Sequence, residues 1–418
     1  MRVTPQYPTL PKLLPDLTSP NTGICRVVPK SVELGGDIGE GLRATFGATT
    51  SPNCGLEGKR NASSNAARNC TAWTFECEGK MPAPQKKQLK TLVIGATGHG
   101  GSYLCVELVN RGHKVTGLAR NPERLGSHEL YNPRKFDIVE CSFAELMEEL
   151  KGFDVVFNEF SPHSQGHAAL LYMPFVEVTR KIVRAARLSQ VPYFIMVGGA
   201  GSLELPLIEP YLNAGESGHF WRAFRQAFAD SESQIQYMEE RLGPLGEGLR
   251  KLRTVRQRSM AGTATEDEDK FMREYLDSAF KGDYSQTFVK AGRTTYMFFE
   301  GNTSWSWSYV SPPALYRPCA GGEEYTVSYD NLPLTEKPQV GHYQGWWKHD
   351  PKDLEGRLKG ISTIDFSRAL VDDAESRNGL HKHWTATTEL KDDTPFPSYV
   401  NFDLGYASRS VYESLSDK

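Results

Sequence analysis

Three glycines, Gly95, Gly98 and Gly101, recur at every third position directly after a short apolar run. In such a motif the first glycine permits a tight turn, the second lets backbone approach a pyrophosphate, and the third lets a helix pack closely on a strand. The N-terminus of a helix after the turn offers N–H groups and a partial positive charge to phosphate oxygens. The spacing therefore predicts a turn that binds the phosphates of a dinucleotide.

The elements on either side of this turn are those that such a site requires. Residues 92–94 are an apolar run typical of a strand, residues 103–112 fit a helix that stops at a glycine, and residues 113–118 fit a second strand. Strand, glycine turn, helix and strand together make up the dinucleotide-binding unit.

Two histidines, His163 and His167, are also spaced in a way that could support chemistry. Side chains four positions apart can bind one metal ion, but no third ligand accompanies this pair, so we predict polar loop residues and no metal site. Because His163 closely follows a predicted strand, it stays a candidate proton donor.

Composition limits the classes of function that the chain can have. The chain has 418 residues, a formal net charge of -3, 39% hydrophobic and 24% charged residues. This balance is typical of a globular protein and argues against a general polyanion binder, so we expect no nucleic-acid partner. No apolar run approaches the ~18 residues that a membrane span needs, and we expect no membrane partner.

The N-terminus has no apolar signal-peptide core, and we therefore expect a cytoplasmic protein. Seven cysteines, none in a C-x-x-C pair, favour free thiols, with Cys105 and Cys141 in core elements. Residues 1–88 are rich in Pro, Ser, Asn, Gly and Thr, which predicts a disordered extension or an over-long gene model whose true start is Met81.

From residue 89 to 202, strand and helix patterns alternate regularly. We predict further strands at residues 136–139, 154–158 and 192–197, with helices at 143–150 and 171–185. Such alternation implies parallel strands joined by right-handed crossovers. The fold class is therefore α/β, a Rossmann-like doubly wound parallel sheet.

Residues 203–292 interrupt this pattern as a helical insert over the substrate side of the sheet. Aromatic residues recur there at helical spacing, at Phe220, Trp221, Phe224 and Phe228. The basic run at 250–258 is followed by an acidic run, so we interpret it as a solvated helix and not as a nucleic-acid patch.

Residues 293–418 are predicted to complete the sheet and to form a small C-terminal α+β substrate region. Strands are expected at 294–299, 305–310, 324–328 and 383–387, with a polar loop at 332–358. A helix is expected to start after Ser362, because Asp365 three residues later completes a capping signature.

Several segments, in this order, resemble the NmrA-like, atypical short-chain dehydrogenase/reductase proteins, which bind NAD(P)H. They are the Gly-Ala-Thr-Gly-His-Gly-Gly run at 95–101, Arg120, the Val-Gly-Gly-Ala-Gly-Ser run at 197–202, and residues 310–313 and 361–366. The resemblance covers residues 90–202 and 293–390 and leaves out the extension and the insert.

The resemblance implies which residues surround the cofactor. Arg120 stands where NAD-specific proteins carry an acid for the ribose; since a guanidinium pairs with a 2′-phosphate, NADP(H) is expected in preference to NAD(H). The pyrophosphate and nicotinamide sites are implied at Gly95, Thr97, Gly98, His99, Gly101, Phe160, Ser161, Pro162, Gly198 and Gly199.

The chain departs from the wider superfamily at its catalytic residues. Those reductases use a helical Tyr-x-x-x-Lys pair, but the pattern occurs here only at Tyr131–Lys135, ahead of a predicted strand and with a proline inside. Tyr237 is the nearest helical analogue, followed by Arg241 in place of lysine. Ser202 lies slightly beyond the usual serine position. His163, Ser202 and Tyr237 are therefore weak catalytic candidates.

Three hypotheses follow from these residues. The first is an NADPH-dependent oxidoreductase that acts on a small aromatic or polyketide-type secondary metabolite, by hydride transfer at nicotinamide C4. The second is a redox-sensing regulator that binds NAD(P) without turnover, and the third is a cofactor-dependent isomerase or epimerase. The sequence indicates neither the oligomeric state nor the proton donor.

Overall fold

The computed structural model describes residues 87–161, 172–282, 286–322, 324–336, 352–390 and 393–416. The predicted N-terminal extension lies outside the described residues except for its last two positions, and so do Pro162, His163 and His167. The chain divides into two units, Met1–Gly79 and Lys80–Lys418, and the description below concerns the second.

The described strands fall into one large sheet and one small one. In chain order they are β1 (Lys90–Ile94), β2 (Lys114–Ala119), β3 (Tyr131–Lys135), β4 (Val155–Asn158), β5 (Phe194–Val197), β6 (Trp307–Val310), β7 (Leu315–Arg317), β8 (Thr326–Tyr329), β9 (Gly360–Ser362) and β10 (His383–Thr387).

The large sheet has the strand order β3-β2-β1-β4-β5-β6-β10-β8. Every pair in it is parallel except β10 with β8, which is antiparallel. The first six strands follow the dinucleotide-binding order, in which the chain reverses direction across the sheet between β1 and β4. The predicted Rossmann-like α/β fold is confirmed.

The described helices are α1 (His99–Asn110), α2 (Phe143–Glu149), α3 (Tyr172–Leu188), α4 (Gly218–Ala229), α5 (Glu232–Leu242), α6 (Pro244–Met260), α7 (Glu266–Lys281), α8 (Gln286–Tyr296), α9 (Thr363–Ser376) and α10 (Arg409–Ser416). Helices α1 and α9 pack through one apolar core on one face of the sheet, and α2 and α3 pack through a second core on the opposite face. The sheet is thus covered on both faces, as a parallel sheet requires.

Helices α4 to α8 follow β5 and hold a smaller core of their own. Ala229 on α4, Leu252 and Val255 on α6, and Met272 and Leu276 on α7 are buried against one another. Because α4 packs against α6 and α7 through this core, the orientation of α4 relative to the sheet is fixed.

The third strand differs from the prediction. It runs over Tyr131–Lys135 and not over 136–139, so the Tyr-x-x-x-Lys pattern lies on a strand. A second error is at 294–299, where α8 continues to Tyr296 in place of the predicted strand. The predicted start of α9 is confirmed, because the Ser362 side chain accepts a hydrogen bond from the Asp365 N–H.

The basic run was predicted to be a solvated helix, and this is wrong for one of its arginines. Arg256 on α6 is fully buried and binds Asp230 through two hydrogen bonds, Nε to Oδ1 at 3.0 Å and Nη2 to Oδ2 at 2.8 Å. Cys141 also lies in a loop and not in a core element, whereas Cys105 is buried on α1. Among the helices that the structure describes, none is long and apolar enough to cross a membrane.

Candidate functional site

The glycine turn after β1 has no room for a Cβ at Gly95 and Gly101 and little room at Gly98. Gly95 has a φ of +82°, and a Cβ there would stand 2.9 Å from the Glu159 carbonyl oxygen. A Cβ at Gly101 would stand 2.2 Å from the Gly95 carbonyl oxygen, and one at Gly98 would stand 3.1 Å from it. Since these neighbours are backbone atoms, which cannot swing away, larger side chains would open the turn.

The turn presents the N-terminus of α1. The N-cap residue Gly98 has no side chain to cap the helix, and the N–H groups of Gly100 and Gly101 have no acceptor among the described residues. The first turn of α1 contains no acidic residue. These are the donors that a pyrophosphate needs, so the turn fits the phosphates of a dinucleotide.

A cavity of about 760 Å³ opens from this turn across the carboxyl ends of the strands. Ligands of doubly wound sheets bind in such a position. The cavity lining includes most of the residues predicted to bind the cofactor, which are Gly95, Thr97, Gly98, His99, Arg120, Phe160, Ser161, Gly198 and Gly199. Gly101 lies behind the turn and is not among the lining residues.

The His99 side chain is held by the C-terminal part of the chain. Its Nδ1 lies 3.0 Å from the Ser398 carbonyl oxygen, and its Nε2 lies 3.0 Å from the Thr363 hydroxyl. The Tyr103 hydroxyl on α1 donates to the Pro397 carbonyl oxygen at 2.7 Å. The segment around Pro397 and Ser398 therefore fixes the first turns of α1 beside the cavity.

One end of the cavity lies beyond β2 and is cationic. Arg120 and Arg124 line it there, and the Arg124 guanidinium carbon lies 3.7 Å from the centroid of the Tyr399 ring. Asp137 lines the same region, and its carboxylate accepts the backbone N–H of Val139 at 2.9 Å. A dinucleotide whose phosphates lie on the α1 N-terminus would place its adenosine toward β2.

Aromatic side chains from the insert also line the cavity. Trp221, Phe224 and Phe228 line it from α4, with Tyr237 and Met238 from α5. Phe220, also predicted for an apolar pocket, is buried but is not among the lining residues. Helices α4 and α5 of the insert thus supply an apolar wall to the cavity.

Glu159 is a carboxyl group in this cavity that sequence reasoning missed. It follows β4 directly, and its Oε1 is buried without a hydrogen-bond partner among the described residues. Burial raises the pKa of the Glu159 carboxyl to about 8, because the charged form is poorly solvated there. Glu159 is thus largely protonated at neutral pH.

Two tyrosines share the pocket with Glu159. Tyr316 on β7 and Tyr237 on α5 both line the cavity, and their ring centroids lie 5.2 Å and 4.4 Å from that of His99. Burial raises the pKa of the Tyr316 phenol well above its ordinary value, and the nearby Glu159 carboxyl adds to this. Tyr237 stays a catalytic prediction.

Ser202 lies beneath the cavity wall. Its hydroxyl donates to the Gly199 carbonyl oxygen at 2.8 Å and lies 2.7 Å from the Ser311 hydroxyl. His383 Nε2 is 2.9 Å from the Ser311 hydroxyl, and His383 is buried on β10. This network positions the Gly199 turn, and Ser202 is not among the described residues that line the cavity.

The tyrosine and lysine pair of the wider superfamily is not found among the described residues that line the cavity, as the sequence predicted. No lysine is found among the described residues that line it, and Lys135 is at the end of the edge strand β3. The described residues also hold no cluster of His, Cys, Asp and Glu suited to a metal ion. His163 lies outside the described residues and stays a prediction.

Together, the strand order, the glycine turn and the cavity define a dinucleotide-binding Rossmann domain. In agreement, residues 95–245 match the sequence model of the NAD(P)H-binding family. This part of the chain is therefore an NAD(P)H-binding domain, and the resemblance to NAD(P)H-binding proteins predicted from the segments at 95–101, 120, 197–202, 310–313 and 361–366 is confirmed at that level. The cofactor is a nicotinamide dinucleotide.

Curated relatives match over a short stretch. An uncharacterized protein of Bacillus subtilis, YwnB, is 32% identical over 116 residues, which are 28% of this chain and 49% of that protein. A 4-hydroxy-tetrahydrodipicolinate reductase of Natronomonas pharaonis is 31% identical over 111 residues, 27% of this chain and 35% of that protein. The chain therefore spans about half of the first relative and about a third of the second.

Solved structures resemble the fold at low identity. A protein of Bacteroides thetaiotaomicron, provisionally described as an epimerase, is 22% identical with a TM-score of 0.46, over 72% of this chain and 97% of that one. The oxidoreductase ylbE of Lactococcus lactis is 12% identical with a TM-score of 0.43, over 79% of this chain and 97% of that one. Both are too distant to bear on function.

Proposed function

We propose that the protein is an NADP(H)-preferring oxidoreductase that acts on a small aromatic or polyketide-type molecule. The observation that carries this proposal is the single cavity that joins the glycine turn to the aromatic face of α4. A cofactor on the turn and an apolar molecule under the insert would then share one cavity.

The preference for NADP(H) is supported by charge. Arg120 and Arg124 line the cavity just beyond β2, where the ribose 2′ position of a bound dinucleotide would lie. A guanidinium pairs with a 2′-phosphate, whereas an acid at this position would favour the free hydroxyl of NAD(H).

Reduction of a carbonyl or quinone needs a hydride and a proton. NADPH bound on the turn would supply the hydride to the substrate carbon. Glu159 is the acid in our proposal, because its carboxyl is in the cavity and holds its proton near neutral pH. The Glu159 O–H would donate to the substrate oxygen as the carbon–oxygen π bond opens, and solvent would return the proton.

The absent tyrosine and lysine pair favours a second candidate, a sensor that binds NAD(P) without turnover. The two candidates differ in a simple assay on the full chain. Dissociation constants for NADPH and NADH are measured by cofactor fluorescence, and NADPH oxidation is followed over a panel of quinones and aromatic ketones.

Tight NADPH binding with oxidation of NADPH on at least one aromatic carbonyl is expected. Tight binding with no oxidation on any compound of the panel would support the sensor instead. Failure to bind either dinucleotide would overturn both candidates.

A further inference from the structure

Helix α5 turns three side chains toward the cavity. Gln234, Tyr237 and Met238 all line it. Their spacing of three and four residues from Gln234 places them on one face of the helix. Gln234 carries an amide on this face, whereas its two neighbours contribute an aromatic ring and a thioether.

This face of α5 adjoins both the glycine turn and the aromatic residues of α4. The centroid of the Tyr237 ring lies 4.4 Å from that of His99 in the first turn of α1. Met238 and Phe224 pack against one apolar cluster that contains Phe228. Gln234 precedes Tyr237 and Met238 by one turn, so its amide borders the space proposed for the substrate.

The Gln234 amide is buried with one of its polar atoms unpaired. Only 2% of the surface of Gln234 is exposed, and its Oε1 has no hydrogen-bond partner among the described residues. A buried acceptor without a partner lowers the stability of the folded chain. Because this acceptor is in the wall of a cavity, a hydrogen-bond donor of a ligand can satisfy it.

The hydroxyl groups nearest to Gln234 in sequence donate to another residue. Ser231 Oγ donates to Asp393 Oδ1 at 2.6 Å, and Ser233 Oγ donates to the same oxygen at 2.7 Å. The Gln234 N–H donates to Ser231 Oγ at 3.2 Å, which fixes the backbone in the first turn of α5. The donor for Gln234 Oε1 therefore has to come from outside this turn.

A hydroxyl is the ligand group that suits this amide best. An O–H group donates to Oε1 and can also accept from the Nε2 of the same side chain, so it satisfies the amide in either orientation. A carboxylate has no proton to donate and would bring a negative charge against the amide oxygen. The amide thus favours a neutral hydroxyl over an acid.

We infer that the substrate carries a hydroxyl on its aromatic ring system, and that Gln234 binds this hydroxyl while Phe224 and Phe228 contact the ring. The substrate class is then a phenolic aromatic carbonyl compound. The inference rests on the proposed function for the aromatic carbonyl, and it adds the hydroxyl and the residue that recognises it.

The test uses the full chain saturated with NADPH and two probes of similar shape, 2-naphthol and 2-fluoronaphthalene. Their dissociation constants are measured by equilibrium dialysis. We expect 2-naphthol to bind at least about tenfold tighter, because the probe without a hydroxyl leaves a buried acceptor unpaired. Equal affinities in the wild-type protein would overturn the inference.

Two glutamines on α5 provide a variant and its matched control. Gln234→Met keeps the length of the side chain and removes the amide, so it should abolish the preference for 2-naphthol and retain the affinity for 2-fluoronaphthalene. Gln236→Met is the control, because Gln236 donates to Glu232 Oε1 at 3.2 Å and is not among the described residues that line the cavity. The control should keep the preference for 2-naphthol.

The free energy of unfolding separates a role in ligand binding from a structural one. Without a ligand, Gln234→Met should be at least as stable as the wild type, since it removes an unpaired buried acceptor. A lower free energy of unfolding together with an unchanged preference for 2-naphthol would make Gln234 a structural residue and overturn the inference.

If Gln234→Met does not fold, Gln234→Asn decides, because its shorter side chain withdraws the amide from the ligand. We expect this variant to lower the preference for 2-naphthol severalfold, and an unchanged preference would contradict the inference. Weaker NADPH binding in either variant would make Gln234 a cofactor contact and also overturn it.

The same measurements distinguish this inference from the proposed function. A preference for 2-naphthol that depends on Gln234, without NADPH oxidation on any carbonyl compound, would support the hydroxyl site and contradict the proposed function alone. NADPH oxidation on an aromatic ketone, with equal affinities for the two probes, would support the proposed function and overturn the inference.

Discussion

The carboxyl of Glu159 lies against the first turn of α1 at Gly100. A Cβ at position 100 would stand 2.5 Å from Glu159 Oε2 and 3.1 Å from the Tyr316 hydroxyl. Glycine at this position therefore makes room for an acid beside the phosphate-binding turn. This fourth glycine lies outside the three-residue spacing that identifies the turn.

Gly100→Ala should displace the Glu159 carboxyl and weaken both folding and cofactor binding. We expect a loss of at most about 1 kcal/mol in the free energy of unfolding, measured by chemical denaturation, because the added methyl meets the ends of two side chains, which can shift, and not backbone. The control is Gly292→Ala, because a Cβ on this α8 residue meets nothing within 4 Å. That variant should match or exceed wild-type stability, since alanine is the better helix former. Equal effects of the two substitutions would contradict the role of Gly100.

Glu159→Gln should change the pH dependence of stability in a defined direction. The folded chain holds this proton up to about pH 8, whereas an ordinary glutamate releases it near 4.5. The wild-type free energy of unfolding therefore falls as the pH rises between these values, by at most about 1.4 kcal/mol per pH unit from this group. Glutamine has no carboxyl proton to lose. The free energy of unfolding of Glu159→Gln should therefore rise relative to that of the wild type as the pH increases from 5 to 8.

The same substitution tests the proposed acid. Turnover of Glu159→Gln should fall by about 10²–10⁴, and wild-type kcat should decline above pH 8 as Glu159 loses its proton. The control is Glu148→Gln, whose side chain is 71% exposed beside Lys151. Full turnover in Glu159→Gln would remove Glu159 from the proposal. So would a difference in the free energy of unfolding between this variant and the wild type that does not vary with pH.

The parts of the fold that were predictable have strong local signals. The run from β1 through the glycine turn to α1 combines apolar, glycine and helix-forming segments within a few residues. The third strand lacks such a signal, because β3 is an edge strand with four of its five residues exposed. Pro133, which argued against a regular element, is tolerated on an edge.

The end of α8 shows how packing can override local preference. Thr294, Thr295 and Tyr296 favour a strand by residue type. In the fold, Ala291 and Thr295 are completely buried four residues apart on one helix face. Tertiary contacts of this kind cannot be inferred from the segment alone.

The site was predictable only where it depends on chain order. The rule that ligands bind beyond the carboxyl ends of strands places Phe160 and Ser161, and it could also have found Glu159. The proximity of the Glu159 carboxyl to the Tyr316 hydroxyl and the place of Phe224 in the cavity depend on residues far apart in sequence. Spacing carries no information about such pairs.

Arg120→Ser should shift the cofactor preference. With a guanidinium removed from the end of β2, the affinity for NADPH should fall about tenfold or more, while the affinity for NADH stays similar. Both are measured as dissociation constants by cofactor fluorescence. Gly98→Val serves as the comparison, because disruption of the turn should abolish binding of both dinucleotides. The assignment of Arg120 would be refuted if the wild-type protein bound NADH more tightly than NADPH. It would also be refuted if Arg120→Ser lost affinity for both dinucleotides equally.

The buried ion pair between Arg256 and Asp230 predicts very different effects for two arginines on one helix. Arg256→Ala leaves Asp230 and the 8% exposed side chain of Glu355 without the charge that faces them. We expect a loss of about 3–5 kcal/mol in the free energy of unfolding, because removing one partner of a buried, hydrogen-bonded ion pair is strongly destabilising.

Arg258 on the same helix pairs with Glu268 at 2.9 Å but is 48% exposed, so Arg258→Ala should cost at most about 1 kcal/mol. Chemical denaturation of the two variants side by side measures the difference. If both arginines were solvated, as the run of basic residues suggested, the two losses would be equal and small. A large gap between them would show that the Arg256–Asp230 ion pair anchors α6 to the end of α4.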